Sequence, residues 1–417
     1  FKQKTAYEIR LSLVGSEMCI RDSLYAVPVD VSVQDEPYQS NQAELPDLSK
    51  LAVTTASRSS IALPGDARIV SSVLLIDCPQ YVNFFVRLRA LDGTLLCLDL
   101  FLPRTAVPSC SGAQAVPAHG TILRLDPYHA YGFSRDKSLD AAAHFCPHNY
   151  AYAALEVRGS GCSDGRPLDE YCPAETMDGV FGVRWIASQP WCRSGVVMCG
   201  LSYSGFTALQ VAKALGQDAA DNQGDDDGKS RSGDSARTCK TSGPRSPLKG
   251  VFVQYASDDR WMNDVHYLGG VKTCSEMLQY AFSMTPSNLM PPRPALLPSD
   301  WERMFAERLV CTEPWLFNWM TRQQDSPYWR HGSLAPDYGA IKCPVYHISG
   351  WNDAYCDSAC RMHDALATSH PDADALSSEP QASIVSESAD DDVPFSMTTV
   401  VGNWCHIEPS CAWPGPC

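Results

Sequence analysis

The chain has 417 residues, 44% of them apolar, enough to fill the core of one large domain or two ordinary ones. A formal charge of −15 and an isoelectric point near 5.0 oppose phosphate backbones and anionic membranes, which excludes nucleic acid and membrane surfaces as partners. No apolar run reaches the ~20 residues of a spanning helix, and the eighteen cysteines lie scattered in apolar runs instead of in paired ligand knuckles, as reduced thiols of a cytosolic protein do.

Residues 1–23, "FKQKTAYEIRLSLVGSEMCIRDS", lack an initiator methionine, and Glu8, Arg10 and Glu17 interrupt any signal-peptide core. The stretch resembles translated sequencing-adaptor sequence and is set aside, which leaves the native start and its targeting unread. Residues 24–80 read as an irregular N-terminal segment, and residues 81–417 as one α/β domain.

From Phe84, "FFVRLRALDGTLLCLDLFLP" alternates apolar and polar residues around Asp92-Gly93, the signal of a two-residue hairpin turn. The runs "GTILRLDPY", "YAYAALEVRGSG", "SGVVMCGLS", "LKGVFVQYAS", "CPVYHISGWND" and "SMTTVVGNWCH" follow, short and apolar, as buried strands of a mostly parallel sheet do. Helical spacing returns between the strands at Ala154 and Val196, and again after Ser202 at Phe206, Leu209, Ala212 and Leu215. Strands alternating with helices imply a doubly wound α/β fold. Residues 216–247 and 369–394 are rich in Asp, Ser, Gly and Pro, so both read as disordered surface insertions. Residues 257–338, with five tryptophans, are too long for a simple connection and predict a mostly helical cap over the carboxyl edge of the sheet.

"GLSYSG", at residues 200–205, sets a serine at a strand-to-helix junction. The nucleophile elbow G-x-S-x-G asks for glycine at 204, where Ser204 stands, so Ser202 reads as either a nucleophile or a helix N-cap. A serine hydroxyl needs a base, and the base an orienting acid. Asp353 and His406 each follow a later strand, in the chain order Ser, Asp, His of an α/β-hydrolase. Taken singly, Asp353 reads better as a solvated turn aspartate, and His406 equally well as a satisfied core histidine. "RGSGCSDG" lacks the third glycine of a dinucleotide loop and reads as a structural turn. Asp258, Asp259 and Asp264 form an acidic group that suits either a cationic substrate or a salt-bridge network with Arg260.

"LDPY", "EVRGSGCSDG", "DGVFGVRWIASQPWCRSGVVMCGLSYSGFTALQVA", "SDDRWMNDVHYLGG", "SGWNDAYCD" and "GNWCHIEP" together resemble the CocE/NonD serine hydrolases, relatives of cocaine esterase, glutaryl acylase and X-Pro dipeptidyl-peptidase. The resemblance implies an α/β-hydrolase fold with a mostly parallel sheet and an inserted helical cap. It implies an elbow of the form G-x-S-Y-x-G, with Ser202, Asp353 and His406 as triad. Tyr128 and the backbone N–H of Tyr203 are the implied oxyanion donors, although Tyr128 alone would read as packing beneath the cap. Asp258, Asp259 and Trp351 are the expected substrate contacts. Such hydrolases carry a jelly-roll domain after the histidine, and here it is expected to be missing, which should uncover apolar surface. Relatives specialised for α-amino acid esters place carboxylates just after the triad aspartate. Ala354, Tyr355 and Cys356 stand there instead, so a small-molecule ester or amide without that amine is favoured.

No cofactor and no metal is implied, and a homo-oligomer stays open. The functions left are ester or amide hydrolysis, X-Pro dipeptidyl-peptidase activity with a free-amine site, and an inactive fragment or binding protein.

Overall fold

The computed structural model describes residues 63, 66–108, 114–128, 132–224, 246–371 and 394–406. Strands β1 (Ile69–Asp77), β2 (Tyr81–Arg89) and β3 (Leu95–Pro103) form an antiparallel meander. β1 falls in the segment expected to be irregular, and the irregular reading is corrected there. The β2–β3 turn also differs from expectation. Ala90 pairs with Thr94, Gly93 N–H donates to the Ala90 carbonyl, and Gly93 has φ +91, which makes a three-residue loop with glycine in the left-handed position, not a two-residue turn. Three polar residues of the hairpin strands, Asn83, Arg87 and Asp99, do not face water. Asn83 and Asp99 are buried together and both bind Arg135, while Arg87 reaches Asp300 at 2.7 Å.

The remaining strands of the sheet are β4 (Thr121–Asp126), β5 (Ala151–Glu156), β6 (Val196–Leu201), β7 (Leu248–Gln254), β10 (Val345–Gly350) and β11 (Met397–Gly402). The order across the nine-stranded sheet is β1-β2-β3-β5-β4-β6-β7-β10-β11, and every neighbouring pair from β5 to β11 is parallel. Helices α1 (Gly132–Phe145), α2 (Pro173–Ala187), α3 (Tyr203–Gly224) and α8 (Cys356–Ser369) lie between these strands in the chain. This is the α/β-hydrolase architecture. Because the six strands run parallel, their carboxyl ends line one edge, and the segments beginning at Pro127, Ser202, Tyr255, Trp351 and Asn403 all leave from it.

Residues 257–338 contain a small hairpin, β8 (Tyr267–Leu268) with β9 (Val271–Lys272), and helices α4 (Ser275–Leu289), α5 (Trp301–Cys311), α6 (Leu316–Thr321) and α7 (Pro327–Arg330). These helices seat on the loop after β5: Trp315 Nε1–H donates to the Pro167 carbonyl at 2.8 Å and Tyr328 O–H to Asp169 at 2.8 Å. Of the two predicted insertions, residues 225–245 and 372–393 lie outside the described residues, as do 1–23. Residues 216–224 continue α3, which corrects the start of the first insertion.

Candidate active site

Ser202 sits between β6 and α3 with φ +57, a backbone conformation costly for any residue but glycine and one that persists only where its surroundings enforce it. Its N–H donates to the Gln254 carbonyl at 2.9 Å, and its own carbonyl accepts from Gly205 N–H at 2.7 Å. Two glycines permit the turn. A Cβ at position 200 would stand 2.2 Å from the backbone carbon of Ser204, and one at 205 would stand 3.1 Å from the Gly200 carbonyl oxygen. Position 204 carries no such demand, and its serine is accommodated in a buried setting.

Asp353 and His406 reach the serine because the loops after β10 and β11 tie each other down. Trp351 N–H donates to Gly402 at 2.8 Å and Asn352 N–H to Trp404 at 3.0 Å. His406 Nε2 then lies 2.8 Å from Ser202 Oγ, and His406 Nδ1 lies 2.5 Å from Asp353 Oδ2. These partners assign the tautomer: Nδ1–H donates to the carboxylate, and Nε2 accepts from the hydroxyl. The second oxygen of Asp353 accepts from Tyr355 N–H at 2.7 Å. Asp353 is buried, whereas the His406 side chain keeps 20% exposure on the edge where substrate would approach. The rings of Tyr255 and Tyr355 flank the imidazole at 5.5 and 5.3 Å.

On the opposite side of Ser202, Tyr203 is the first residue of α3, where backbone N–H groups have no partner within the helix. Its buried phenol donates to Glu175 Oε2 at 2.9 Å and accepts from Tyr171 N–H at 3.0 Å. Tyr128 is half-buried, edge-on to Tyr203 at a centroid distance of 6.1 Å, with its N–H donated to Asp126 Oδ1 at 3.0 Å. Ser202, Asp353 and His406 therefore meet, with Tyr128 and Tyr203 beside them.

The expected substrate contacts fare differently. Asp258 is buried and bound by Arg361 through Nε and Nη2 and by Tyr338 O–H at 2.7 Å. Asp259 accepts the N–H groups of Trp261 and Met262 at 2.9 and 3.0 Å, as a turn aspartate does. Both carboxylates are engaged in holding the fold together. Trp351 is 62% exposed. Nor does Arg260 pair with the three aspartates. It stacks on Tyr171, Tyr328 and Trp329 and faces Glu170 at 3.6 Å.

A second buried cluster joins this network. His266 lies between Asp264 (Nδ1, 3.2 Å) and Glu170 (Nε2, 3.1 Å), and Tyr355 O–H donates to Asp264 at 3.2 Å. Burial opposes the charge on His266, but the Asp264 and Glu170 carboxylates outweigh it and raise its pKa to about 9. Among the described residues, these three have ligand atoms within 4.8 Å of one another and are the group that could hold a divalent cation. The proton on His266 competes for that place, because a metal-bound histidine must be neutral.

Sequence reasoning missed Glu175, Tyr171, Glu170 and His266, although it singled out Asp264. Glu175 and Glu170 are defined by partners distant in the chain, and the pairing of His266 with Asp264, two residues away, fits no local motif.

The model of the X-Pro dipeptidyl-peptidase (S15) family matches residues 92–219 and 228–408. Proteins of Mycobacterium bovis and Mycobacterium tuberculosis, provisionally designated serine esterases, are each 32% identical over 144 residues, 31% of this chain and 22% of theirs. The match thus spans about a fifth of those relatives. Among solved structures, a CocE/NonD family hydrolase from Staphylococcus aureus is similar with a TM-score of 0.48 and 13% identity over 71% of this chain and 47% of that one. An α-amino acid ester hydrolase has a TM-score of 0.48 and 16% identity over 85% of this chain and 52% of its own.

Proposed function

This chain belongs to the X-Pro dipeptidyl-peptidase (S15) family, and on that premise we propose that it is a serine hydrolase that cleaves an ester or amide through an acyl-enzyme. His406 Nε2 takes the proton of Ser202 Oγ as the oxygen attacks the substrate carbonyl, and Asp353 holds the imidazolium that forms. The negative charge arising on the carbonyl oxygen is met by Tyr203 N–H and Tyr128 O–H as oxyanion donors. His406 then gives its proton to the leaving group. Water, activated by the same histidine, releases the acid and restores Ser202.

The observation that supports this most is the relay of 2.8 and 2.5 Å from Ser202 through His406 to Asp353. Its test is labelling of the purified protein by a fluorophosphonate, with the adduct located by mass spectrometry. Modification of Ser202, absent from Ser202→Ala, is expected; a folded protein that stays unlabelled sinks the proposal. The family match favours a second reading, X-Pro peptidase activity, which requires a free-amine site. With Asp258 and Asp259 engaged elsewhere, short-chain esters are expected to turn over faster than X-Pro-linked chromogenic substrates, and the reverse order would establish the peptidase.

A further inference from the structure

Glu175 lies in the first turn of α2, 3% exposed, with no role in the proton relay. Its Oε2 accepts from Tyr203 O–H at 2.9 Å. Its Oε1 has no protein partner among the described residues, and neither does Ser160 Oγ, which is just as buried. Glu175, Ser160, Tyr203 and Pro127, the neighbour of Tyr128, line one cavity of ≈ 10 Å³. That volume suits about one water molecule, and the unpaired oxygens supply the polar partners a buried water needs.

The charges facing Glu175 do not neutralise it. On its own helix are Asp178 and, at the cap, Cys172. Arg158, from the loop after β5, is claimed by Asp178 through two bonds of 2.6 Å and by Asp92 at 3.0 Å. Arg166 and Asp169 line the same cavity, and Glu170 adds like charge. The elbow presents only the Tyr203 phenol. A carboxyl group so placed is more stable with its proton on.

We propose that Glu175 is a positioning residue for acyl transfer: as a neutral acid it anchors the Tyr203 phenol, and with it the first turn of α3, while its own O–H is satisfied through one water shared with Ser160. The hydrogen bonds run in one direction, from Tyr171 N–H to the Tyr203 oxygen, from Tyr203 O–H to Glu175 Oε2, and from Glu175 Oε1–H to the water. This role rests on the acyl-transfer reading above. It also makes the site sensitive to base. Burial, partly offset by the Tyr203 hydrogen bond, pushes the Glu175 pKa up to about 8. Above that pH a carboxylate forms behind the donors that meet the oxyanion and opposes the charge growing there.

Two measurements test this. The first is the infrared carbonyl stretch of a protonated carboxylic acid, followed from pH 7 to 10 in the parent and in Glu175→Gln. The second is the pH profile of p-nitrophenyl acetate hydrolysis by the parent, Glu175→Gln and Glu175→Leu, corrected with Ser202→Ala. A band that titrates near pH 8 and is missing from Glu175→Gln is expected. The parent's kcat should fall about tenfold above that pH, the scale of one added charge near the reacting oxygen at an effective dielectric of about 20. Glu175→Gln, still neutral and hydrogen-bonding, should rescue most of the neutral-pH rate that Glu175→Leu loses, and should lack the alkaline fall. No such band at pH 7, or an alkaline fall that persists in Glu175→Gln, overturns the proposal. If the band is present but Ser202-dependent turnover is absent at every pH, the hydrolase reading fails and takes the positioning role with it, while the neutral acid stands as measured.

Discussion

Asp353 and Glu175 each hold a side chain flanking Ser202, and their surroundings are opposite. Asp353 accepts from Tyr355 N–H and faces the imidazole of His406 at 2.5 Å, a ring able to take a positive charge. Glu175 faces a phenol at 2.9 Å, with the Arg158 guanidinium already taken by Asp178. In the proposed reaction one carboxyl group balances a cation that appears on the imidazole, whereas the other stands behind the phenol of the residue whose N–H meets the oxyanion and acts uncharged. Proximity to the nucleophile therefore does not decide what an acidic residue does; the charge that develops beside it does.

The same amide substitution on the two sides gives the sharpest test of that contrast. Asp353→Asn keeps the shape but removes the charge that balances the imidazolium and permits the wrong tautomer, so kcat should fall by about 10³–10⁴-fold. Glu175→Gln should cost only a few-fold at pH 7. Equal losses would erase the distinction. Next in size is Tyr128→Phe, which deletes one proposed oxyanion donor and should lower kcat by about 10²–10³-fold with little change in KM. An effect confined to KM would return Tyr128 to a packing role beneath the cap.

What was legible in the sequence follows the same division. Ser202, Asp353 and His406 each end an apolar run, and parallel strands deliver such ends to one edge, so strand order alone brings them into one neighbourhood. Glu175 has no comparable signal: its partner is 28 residues away across the packing of α2 on the elbow. The burial of Asn83, Arg87 and Asp99 was hidden for a related reason. Alternation in β2 and β3 reads as one wet face, but Arg135 of α1 and Asp300 before α5 cover that face and pair with its polar groups. Asp258 and Asp259 stayed open between a cationic substrate and an Arg260 network because Arg361 lies far along the chain and the Trp261 and Met262 amides become donors only once the turn forms.

The smallest expected effect is on stability, and it separates Glu175 from His266 by pH. Both have pKa values raised by folding, so each folded form holds its proton longer than the unfolded chain, and stability must fall as pH rises between the two values. For Glu175 that window runs from about 4.5 to about 8. For His266, where the carboxylates of Asp264 and Glu170 overcome the burial that disfavours its charge, it runs from about 6.5 to about 9. The part of the urea midpoint that depends on Glu175, read as parent minus Glu175→Gln, should therefore decline between pH 4.5 and 8, and the part that depends on His266 between pH 6.5 and 9, each by on the order of one to a few kcal/mol. Both declines run against the opposing rise that His347, its pKa lowered to about 4 by burial, gives parent and variants alike. Glu175→Gln should flatten the first decline and leave the second, while His266→Gln, less stable at neutral pH, should flatten the second and leave the first. A single decline abolished by either variant would mean that the two buried groups titrate as one unit, and the acid beside Tyr203 would then belong to the His266 network instead of to the elbow.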